Sequence, residues 1–216
     1  MKRILFIAIL FCAALSFGSA VAQQDMSAQS QLTNASNATV LKEDSGTNLS
    51  EMKVMYFSAQ SFKLDPFNTA VAVKFTAPKP GWKLKSILVL GWNGFNATEK
   101  VLPPEGDFLL EIRDSKLDLL YRLSDSQNAY FTFNGPGLAE IEIPALPLTG
   151  DFYIMFYDRG NLVVVGETGN STATDHSFIF DKFDYSLSPA DFTTMNATTN
   201  MIGITKTNWV IRAVGE

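Results

Sequence analysis

The residues that could support catalysis in this 216-residue chain are chiefly carboxylates. Five of its 22 acidic residues lie on or beside strand-like runs, namely Glu111, Glu140, Glu142, Asp151 and Glu167. A glycosidase needs two carboxyl groups that face each other across a cleft. Because acids are abundant, such pairs also arise by chance. We therefore expect a protein that is not an enzyme. The alternative is a carbohydrate-active enzyme with a carboxylate pair on one sheet.

Other catalytic chemistries lack their sequence signatures. The single histidine, His176, lies in the strand-like run DHSFIF, and there is no G-x-S-x-G motif to accompany it. The chain also lacks H-E-x-x-H, P-loop and G-x-G-x-x-G motifs. We expect His176 to be an ordinary turn or edge residue and expect no cofactor.

Calcium is a more plausible ligand for an extracellular β-domain. Asp114 and Asp118 flank one tight turn, and Asp181 and Asp184 flank another. Neither pair has the twelve-residue EF-hand spacing, and acidic residues commonly form turns on their own. The sequence allows a structural calcium ion but predicts no ligand set for it.

Residues 1–22 have the three parts of a secretory signal peptide. Lys2 and Arg3 form its charged start, Ile4 to Phe17 its apolar run, and Ala20-Val21-Ala22 its small-x-small cleavage site. We expect a secreted or cell-surface protein that begins at Gln23 and does not insert into the membrane; an uncleaved anchor is the alternative.

Cleavage would also change the composition of the chain. It removes the only cysteine, Cys12, so the mature chain would have no disulfide and no thiolate metal site. It also removes two basic residues and leaves 15 basic against 22 acidic, a net charge of −7. Without a basic run, the chain is not expected to bind nucleic acid.

The rest of the chain divides into a leader and one domain. Residues 23–51 are rich in Ser, Thr, Asn and Gln and almost lack large apolar residues, so we predict a flexible leader. From residue 52 to 216, short apolar runs alternate with Gly, Pro, Asn and Asp turns about every ten residues. This spacing predicts a single all-β sandwich of about nine strands. One helical turn is predicted at Ser188–Met195, with Ser188 as N-cap.

Alternation assigns faces to three strands. The inward sets are predicted to be Phe108, Leu110 and Ile112; Phe152, Ile154 and Phe156; and Trp209, Ile211 and Ala213. Leu109, Glu111 and Arg113 are predicted to be largely solvated.

The run GDFYIMFYDRG is unusual because its second face is also apolar, with Tyr153, Met155 and Tyr157. We predict a ligand surface at Tyr153 and Tyr157, to which Trp92 and Arg212 would contribute if their strands are neighbours. The alternative is that a loop within residues 183–201 covers this face.

Several of these runs together resemble a known type of module. IEIP followed by GDFYIMFYD, then HSFIF and a closing NWVIRAVG, resemble the accessory jelly-roll-like β-sandwich modules of secreted bacterial and archaeal surface proteins, particularly those of methanogens. The resemblance covers residues 52–216 and implies a jelly-roll-like sandwich in a surface protein. It implies little about activity.

Glycosylation and binding complete the prediction. Six N-x-S/T sequons lie outside the predicted strands, at Asn34, Asn37, Asn48, Asn96, Asn170 and Asn196. We expect a glycoprotein that acts as a binding or structural module, with a glycan or another cell-envelope component as its partner. A plain envelope component without a small ligand is a third possibility.

Overall fold

The chain folds into two antiparallel sheets packed face to face, which confirms the predicted all-β sandwich. A computed structural model describes residues 38–46, 48–169, 174–195 and 202–216. These residues form fourteen strands rather than about nine. The predicted signal peptide and the first part of the predicted leader lie outside the described residues.

One sheet has six strands. In their order across the sheet they are β11 (Ser186–Pro189), β10 (Ser177–Asp181), β3 (Thr69–Thr76), β8 (Asp151–Tyr157), β5 (Asp107–Asp114) and β6 (Leu119–Ser126).

The other sheet has eight strands. Six follow one path, namely β1 (Thr39–Lys42), β14 (Ile211–Gly215), β4 (Trp82–Trp92), β9 (Val163–Thr168), β13 (Ile202–Trp209) and β12 (Asp191–Met195). Off this path, β2 (Val54–Phe57) pairs with β9 and β7 (Gly137–Leu148) pairs with β4. The described helices are a 3-10 turn at Gln60–Phe62 and the four-residue α1 (Gln127–Tyr130). Neither is long enough to span a membrane.

The main core lies between the sheets, and the inward faces predicted from alternation are confirmed. The nine inward residues of β5, β8, β13 and β14 are at most 1% exposed: Phe108, Leu110, Ile112, Phe152, Ile154, Phe156, Trp209, Ile211 and Ala213. The buried indole N–H of Trp209 is also hydrogen-bonded, because Nε1 donates to the carbonyl of Phe178 at 2.9 Å. A buried indole N–H needs such a partner.

The prediction that the other face of β5 is solvated is wrong. Leu109 is 2% exposed, Glu111 is 0% exposed and Arg113 is 2% exposed. They belong to a second buried layer on the outside of the six-stranded sheet, with Met155 and Tyr157. Alternation separates the two faces of a strand but does not say whether other segments cover the outer one.

The predicted boundary of the leader is also wrong. Residues 39–42 form β1, which pairs with β14 from Thr39 opposite Gly215 to Lys42 opposite Arg212. The chain then crosses the outside of the eight-stranded sheet, where Met52 packs with Val165 and Val210.

The end of this crossing segment is fixed by charge. Asp44 accepts two hydrogen bonds of 2.9 Å from Arg212, through Nε and Nη2. Both side chains are at most 6% exposed. Ser45 N donates to Glu167 Oε2 at 2.8 Å beside this pair. Segment 39–52 is therefore part of the folded domain.

The helical turn predicted at Ser188–Met195 is not formed. β11 ends at Pro189, and β12 begins at Asp191 and pairs with β13. Ala190 separates the two strands and is 2% exposed. Long-range pairing therefore outweighs the local Ser-Pro signal. The AYFTF run, which reads as a strand, instead contributes Ala129 and Tyr130 to α1.

Replacing Asp44 by Ala is expected to destabilise the fold strongly. The Arg212 guanidinium would stay buried without its carboxylate, and breaking such a pair costs about 3–5 kcal/mol. Urea unfolding of the full chain measures the change, with exposed Glu51→Ala as the control. A loss below about 1 kcal/mol would show that segment 39–52 contributes little to stability.

Candidate functional site

The four predicted ligand residues are not brought together. Tyr153 and Tyr157 lie on the outside of the six-stranded sheet, whereas Trp92 and Arg212 belong to β4 and β14 of the other sheet. Tyr157 is 0% exposed, so its ring is not a contact surface for a ligand. Tyr153 is half-buried and packs edge-on against Phe178, with ring centroids 6.1 Å apart.

Trp92 and Arg212 have structural contacts instead. Trp92 Nε1 donates to the carbonyls of Phe95 and Phe133 at 3.0 Å each, and so links two loops. Arg212 is committed to Asp44. Of the four predicted residues, only Tyr153 and Tyr157 lie on the six-stranded sheet, where they share a face.

The second apolar face of β8 is covered by the protein itself. Phe178 and Leu187 from the β10–β11 hairpin, and Leu117 from the β5–β6 turn, pack against the buried layer that contains Met155 and Tyr157. Residue 187 falls within the 183–201 range predicted as a possible cover. Polar side chains close the remaining opening.

These polar side chains surround one carboxylate, Glu111. We call the group the Glu111 cluster, and its members are Glu111, Arg113, Arg122, Tyr157, Lys182 and Tyr185. They come from β5, β6, β8 and the β10–β11 hairpin, so the sheet order places them together.

Each oxygen of Glu111 accepts three donors. Oε2 lies 2.9 Å from Arg113 Nε, 2.6 Å from Arg113 Nη2 and 3.1 Å from the Tyr157 hydroxyl. Oε1 lies 3.0 Å from Arg122 Nε, 2.7 Å from Arg122 Nη2 and 3.4 Å from Lys182 Nζ. The carboxylate has no unused acceptor position for a substrate proton.

The charge state of the cluster follows from these contacts. Burial of Glu111 favours its neutral form, but hydrogen bonds from Arg113 and Arg122 outweigh burial and lower its pKa. Burial raises the pKa of Tyr157, and the nearby Glu111 carboxylate adds to that effect. Glu111 is thus ionised at neutral pH and Tyr157 keeps its proton as a donor.

Two cations and two aromatic rings of this region reach solvent. The side chain of Arg122 is 49% exposed and that of Lys182 is 28% exposed. Tyr185 is 56% exposed and Phe183 is 85% exposed, both at the tip of the β10–β11 hairpin. We call Arg122, Lys182, Phe183 and Tyr185 the cationic–aromatic surface.

Arg113 anchors the hairpin side of this surface. Its Nη1 donates to the Leu117 carbonyl at 2.7 Å and lies 3.3 Å from the Tyr185 hydroxyl. Its guanidinium carbon is 5.3 Å from the Tyr185 ring centroid and 5.5 Å from that of Phe180. Cation–π contacts at such distances are attractive, so the Tyr185 ring is held beside the cluster.

Four of the five carboxylates that could serve a glycosidase have other partners. Glu111 is saturated, and Asp151 forms an ion pair with Lys74 at 2.6 Å. Glu167 accepts from Ser45, and Glu140 from the Ser86 hydroxyl at 2.7 Å. Glu142 lies two residues from Glu140 on β7, so these two share a face and do not oppose each other.

Two depressions on the described surface contain none of these five acids. One, of about 230 Å³, lies beside Phe178, Pro189 and Lys206. The other, of about 370 Å³ and shallow, is lined by Glu105, Asp107 and Asp125.

Asp107, in the shallow depression, is a poor general acid. Burial opposes its ionisation, but hydrogen bonds from Arg159 and Ser124 outweigh burial and lower its pKa. The general acid of a glycosidase has a raised pKa.

The aspartates that could bind calcium accept hydrogen bonds from backbone N–H groups of their own turns. Asp114 Oδ1 accepts from the backbone N–H of Lys116 and of Asp118, and Asp181 Oδ1 accepts from that of Phe183. The described residues contain no cluster of three His, Cys, Asp or Glu side chains suited to a metal. His176 Nδ1 lies 2.8 Å from Glu43 Oε2, at the surface.

Two of the six sequons lie in the described residues. Asn48 and Asn96 are both exposed and lie at turns. Their side-chain oxygens accept from the backbone N–H of Ser50 and Thr98, respectively. The sequons at Asn34, Asn37, Asn170 and Asn196 lie outside the described residues.

Comparison with known proteins adds no further information about function. No protein-family model, no curated protein and no solved structure matches the chain. The resemblance to methanogen-type surface modules therefore remains a prediction from the sequence pattern.

Asp158 is a buried carboxylate without an ion-pair partner among the described residues, and no sequence pattern indicates it. This residue follows β8 and is 2% exposed. Its Oδ2 accepts from Ala59 N at 2.5 Å, but Oδ1 has no donor among the described residues. Burial raises the pKa of Asp158 to about 6, although backbone N–H groups of Ala59 and Gly160 favour its charged form.

This carboxyl is expected to make the fold more stable as the pH falls. Its pKa is higher in the folded state than in the unfolded chain, where it is about 3.9, so the folded state binds the proton more tightly. The free-energy cost of burying the ionised carboxylate is absent at pH values below the unfolded-state pKa. It is fully present at pH values above the folded-state pKa of about 6. Relative to Asp158→Asn, the wild-type chain should gain about 2–3 kcal/mol between pH 7 and pH 4.

Urea unfolding across that pH range measures the difference. The exposed Glu105→Gln variant is the control and should keep the wild-type pH profile. Parallel profiles for the wild type and Asp158→Asn would contradict the expected titration.

Proposed function

We propose that this protein is an exported, non-enzymatic module that binds a glycan or another cell-envelope component through the cationic–aromatic surface. The observation that carries the proposal is the arrangement around Glu111. Two exposed cations, Arg122 and Lys182, contact the buried Glu111 carboxylate. The exposed ring of Tyr185 contacts Arg113 of the same cluster, and the exposed Phe183 lies two residues before it on the hairpin.

Aromatic rings suit this role. Phe183 and Tyr185 present flat apolar faces, and Tyr185 adds a hydroxyl. Sugar rings have apolar faces edged by hydroxyls. The apolar face can pack on an aromatic ring while the hydroxyls form hydrogen bonds at its edge. A signal peptide and a resemblance to secreted surface modules support the same location for the protein.

The runner-up function is a carbohydrate-active enzyme. It would require a facing carboxylate pair with one raised pKa. The strongest support for the binding proposal over the enzyme is that four of the five strand carboxylates bond Arg, Lys, Ser or backbone donors, and that the fifth, Glu142, faces the same way as Glu140. A plain envelope component would not need exposed aromatic rings beside cations.

Replacement of the exposed rings tests the function. Phe183→Ser combined with Tyr185→Ser should weaken binding of the full chain to a glycan array or to its own cell envelopes by at least tenfold. Tyr56→Ser combined with Phe67→Ser is a matched control, because these rings are 53% and 57% exposed elsewhere on the molecule. The control pair should bind like the wild type.

Phe183→Ser alone separates binding from folding, because its ring is 85% exposed. Melting temperatures of all variants are compared with that of the wild type. Unchanged binding by the Phe183–Tyr185 variant, or hydrolysis of a glycan by the wild type, would refute the proposal.

Export is tested by the mass of the chain recovered from its host. We expect an N-terminus at Gln23 and added glycan mass on peptides that contain Asn48 and Asn96, because both side chains are exposed at turns. Asn48→Gln and Asn96→Gln should each remove one glycan. An intact N-terminus at Met1 would instead support the uncleaved anchor.

A further inference from the structure

We infer that the ligand of the cationic–aromatic surface is an anionic polysaccharide whose acidic groups bind Arg122 and Lys182. This inference rests on the proposed function and specifies its ligand class. It depends on the charge balance of the Glu111 cluster rather than on the rings.

The cluster holds more positive charge than its carboxylate can neutralise. One carboxylate, Glu111, contacts three cations, Arg113, Arg122 and Lys182. The group therefore carries a net charge of about +2 by formal count, in a chain whose overall charge is −5. Since all six donor contacts already converge on Glu111, this carboxylate has no further capacity.

The excess charge lies at the surface. Arg113 is 2% exposed and bonds to Glu111 through Nε and Nη2, so these two form a complete buried pair. Arg122 and Lys182 share the other oxygen, and theirs are the exposed side chains. Among the described residues, Glu111 is the one carboxylate with which either forms an ion pair.

Two of the nearest turn acids have hydrogen bonds of their own, whereas Asp184 is exposed between Phe183 and Tyr185 and forms no ion pair with Arg122 or Lys182. Asp181, adjacent to Lys182, accepts the backbone N–H groups of Phe183 and Asp184. Asp114, near Arg113, accepts those of Lys116 and Asp118. Their carboxylates are thus held in the turns rather than on the two exposed cations.

Arg122 is also oriented in advance for an anion. Glu111 fixes its Nε and Nη2, which leaves Nη1 with no hydrogen bond to another described residue. A side chain that is already ordered loses less entropy when it binds. A guanidinium edge matches the oxygens of a carboxylate or sulfate group.

Charge alone would also suit an acidic protein, but the neighbouring rings favour a glycan. Tyr185 is tied to the cluster through Arg113, and Phe183 is two residues away on the same hairpin. A sugar residue can place its ring on an aromatic face and its acidic group on Arg122 or Lys182. An acidic peptide has no equivalent ring in each residue.

Binding of the full chain to defined polymers tests the inference. The probes are polygalacturonate for carboxylates, dextran sulfate for sulfates, neutral dextran, and poly-glutamate as an acidic polypeptide. We expect at least tenfold tighter binding to one of the two acidic polysaccharides than to dextran or poly-glutamate. This preference should weaken as the salt concentration rises.

The variants locate the effect. Arg122→Gln combined with Lys182→Gln should lose at least tenfold in affinity for the preferred acidic polysaccharide and lose most of the salt dependence. Lys85→Gln is the matched control, since Lys85 is 48% exposed and forms one ion pair, with Glu216, on the other sheet. If the melting temperature of the double variant is lowered, the affinity of Lys182→Gln alone is measured instead.

The outcomes separate this inference from the proposed function. Preference for neutral dextran, with Phe183 and Tyr185 still required, overturns the anionic ligand and leaves the binding function standing. Poly-glutamate bound as tightly as the polysaccharides overturns the glycan class. Wild-type binding by the double variant overturns the assignment of Arg122 and Lys182, and no binding to any glycan or envelope overturns both proposals.

Discussion

Two buried arginine–carboxylate pairs hold the outer layers of this sandwich in place. The central strands are apolar on both faces, so a core between two sheets leaves two outer faces that also need cover. On the eight-stranded sheet, the pair Arg212–Asp44 fixes the crossing segment 39–52. On the six-stranded sheet, the pair Arg113–Glu111 lies under the β10–β11 hairpin and holds Tyr185. The first pair joins segment 39–52 to β14, and in the second Arg113 joins the hairpin to β5 through its contact with Tyr185.

The two pairs differ in what surrounds them. Arg212 is the one cation that pairs with Asp44 among the described residues, and it bonds both carboxylate oxygens. Arg113 bonds only Oε2 of Glu111, and Oε1 is bonded by Arg122 and Lys182. One cation neutralises the formal charge of Glu111 and a second supplies donors to its other buried oxygen, so the third exceeds both requirements, and bringing like charges together costs free energy. Arg122 and Lys182 lie at the solvent edge, so they are the cations of the cluster that a ligand could reach.

The sequence predicted the fold where local pattern decides structure. Alternation correctly placed Phe108, Phe152 and Trp209 in the core, because side-chain direction along a strand follows from the backbone. It was wrong wherever a distant segment decides burial. Glu111 looked solvated because Arg122, Tyr157 and Lys182 come from three other elements, and polar residues 39–51 looked flexible although Asp44 finds Arg212 168 positions later.

The same limit explains the candidate site. The tyrosine face of β8 was noticed because two apolar faces in one strand are rare in a two-layer fold. Its cover depends on strand order, which periodicity does not contain, and so do the burial of Tyr157 and the exposure of Tyr185. A fold of this type does not define an activity, so the functional argument must come from individual side chains. Here it comes from a charge imbalance: one buried carboxylate contacts three cations, and the two that share its Oε1 are the two that face outward.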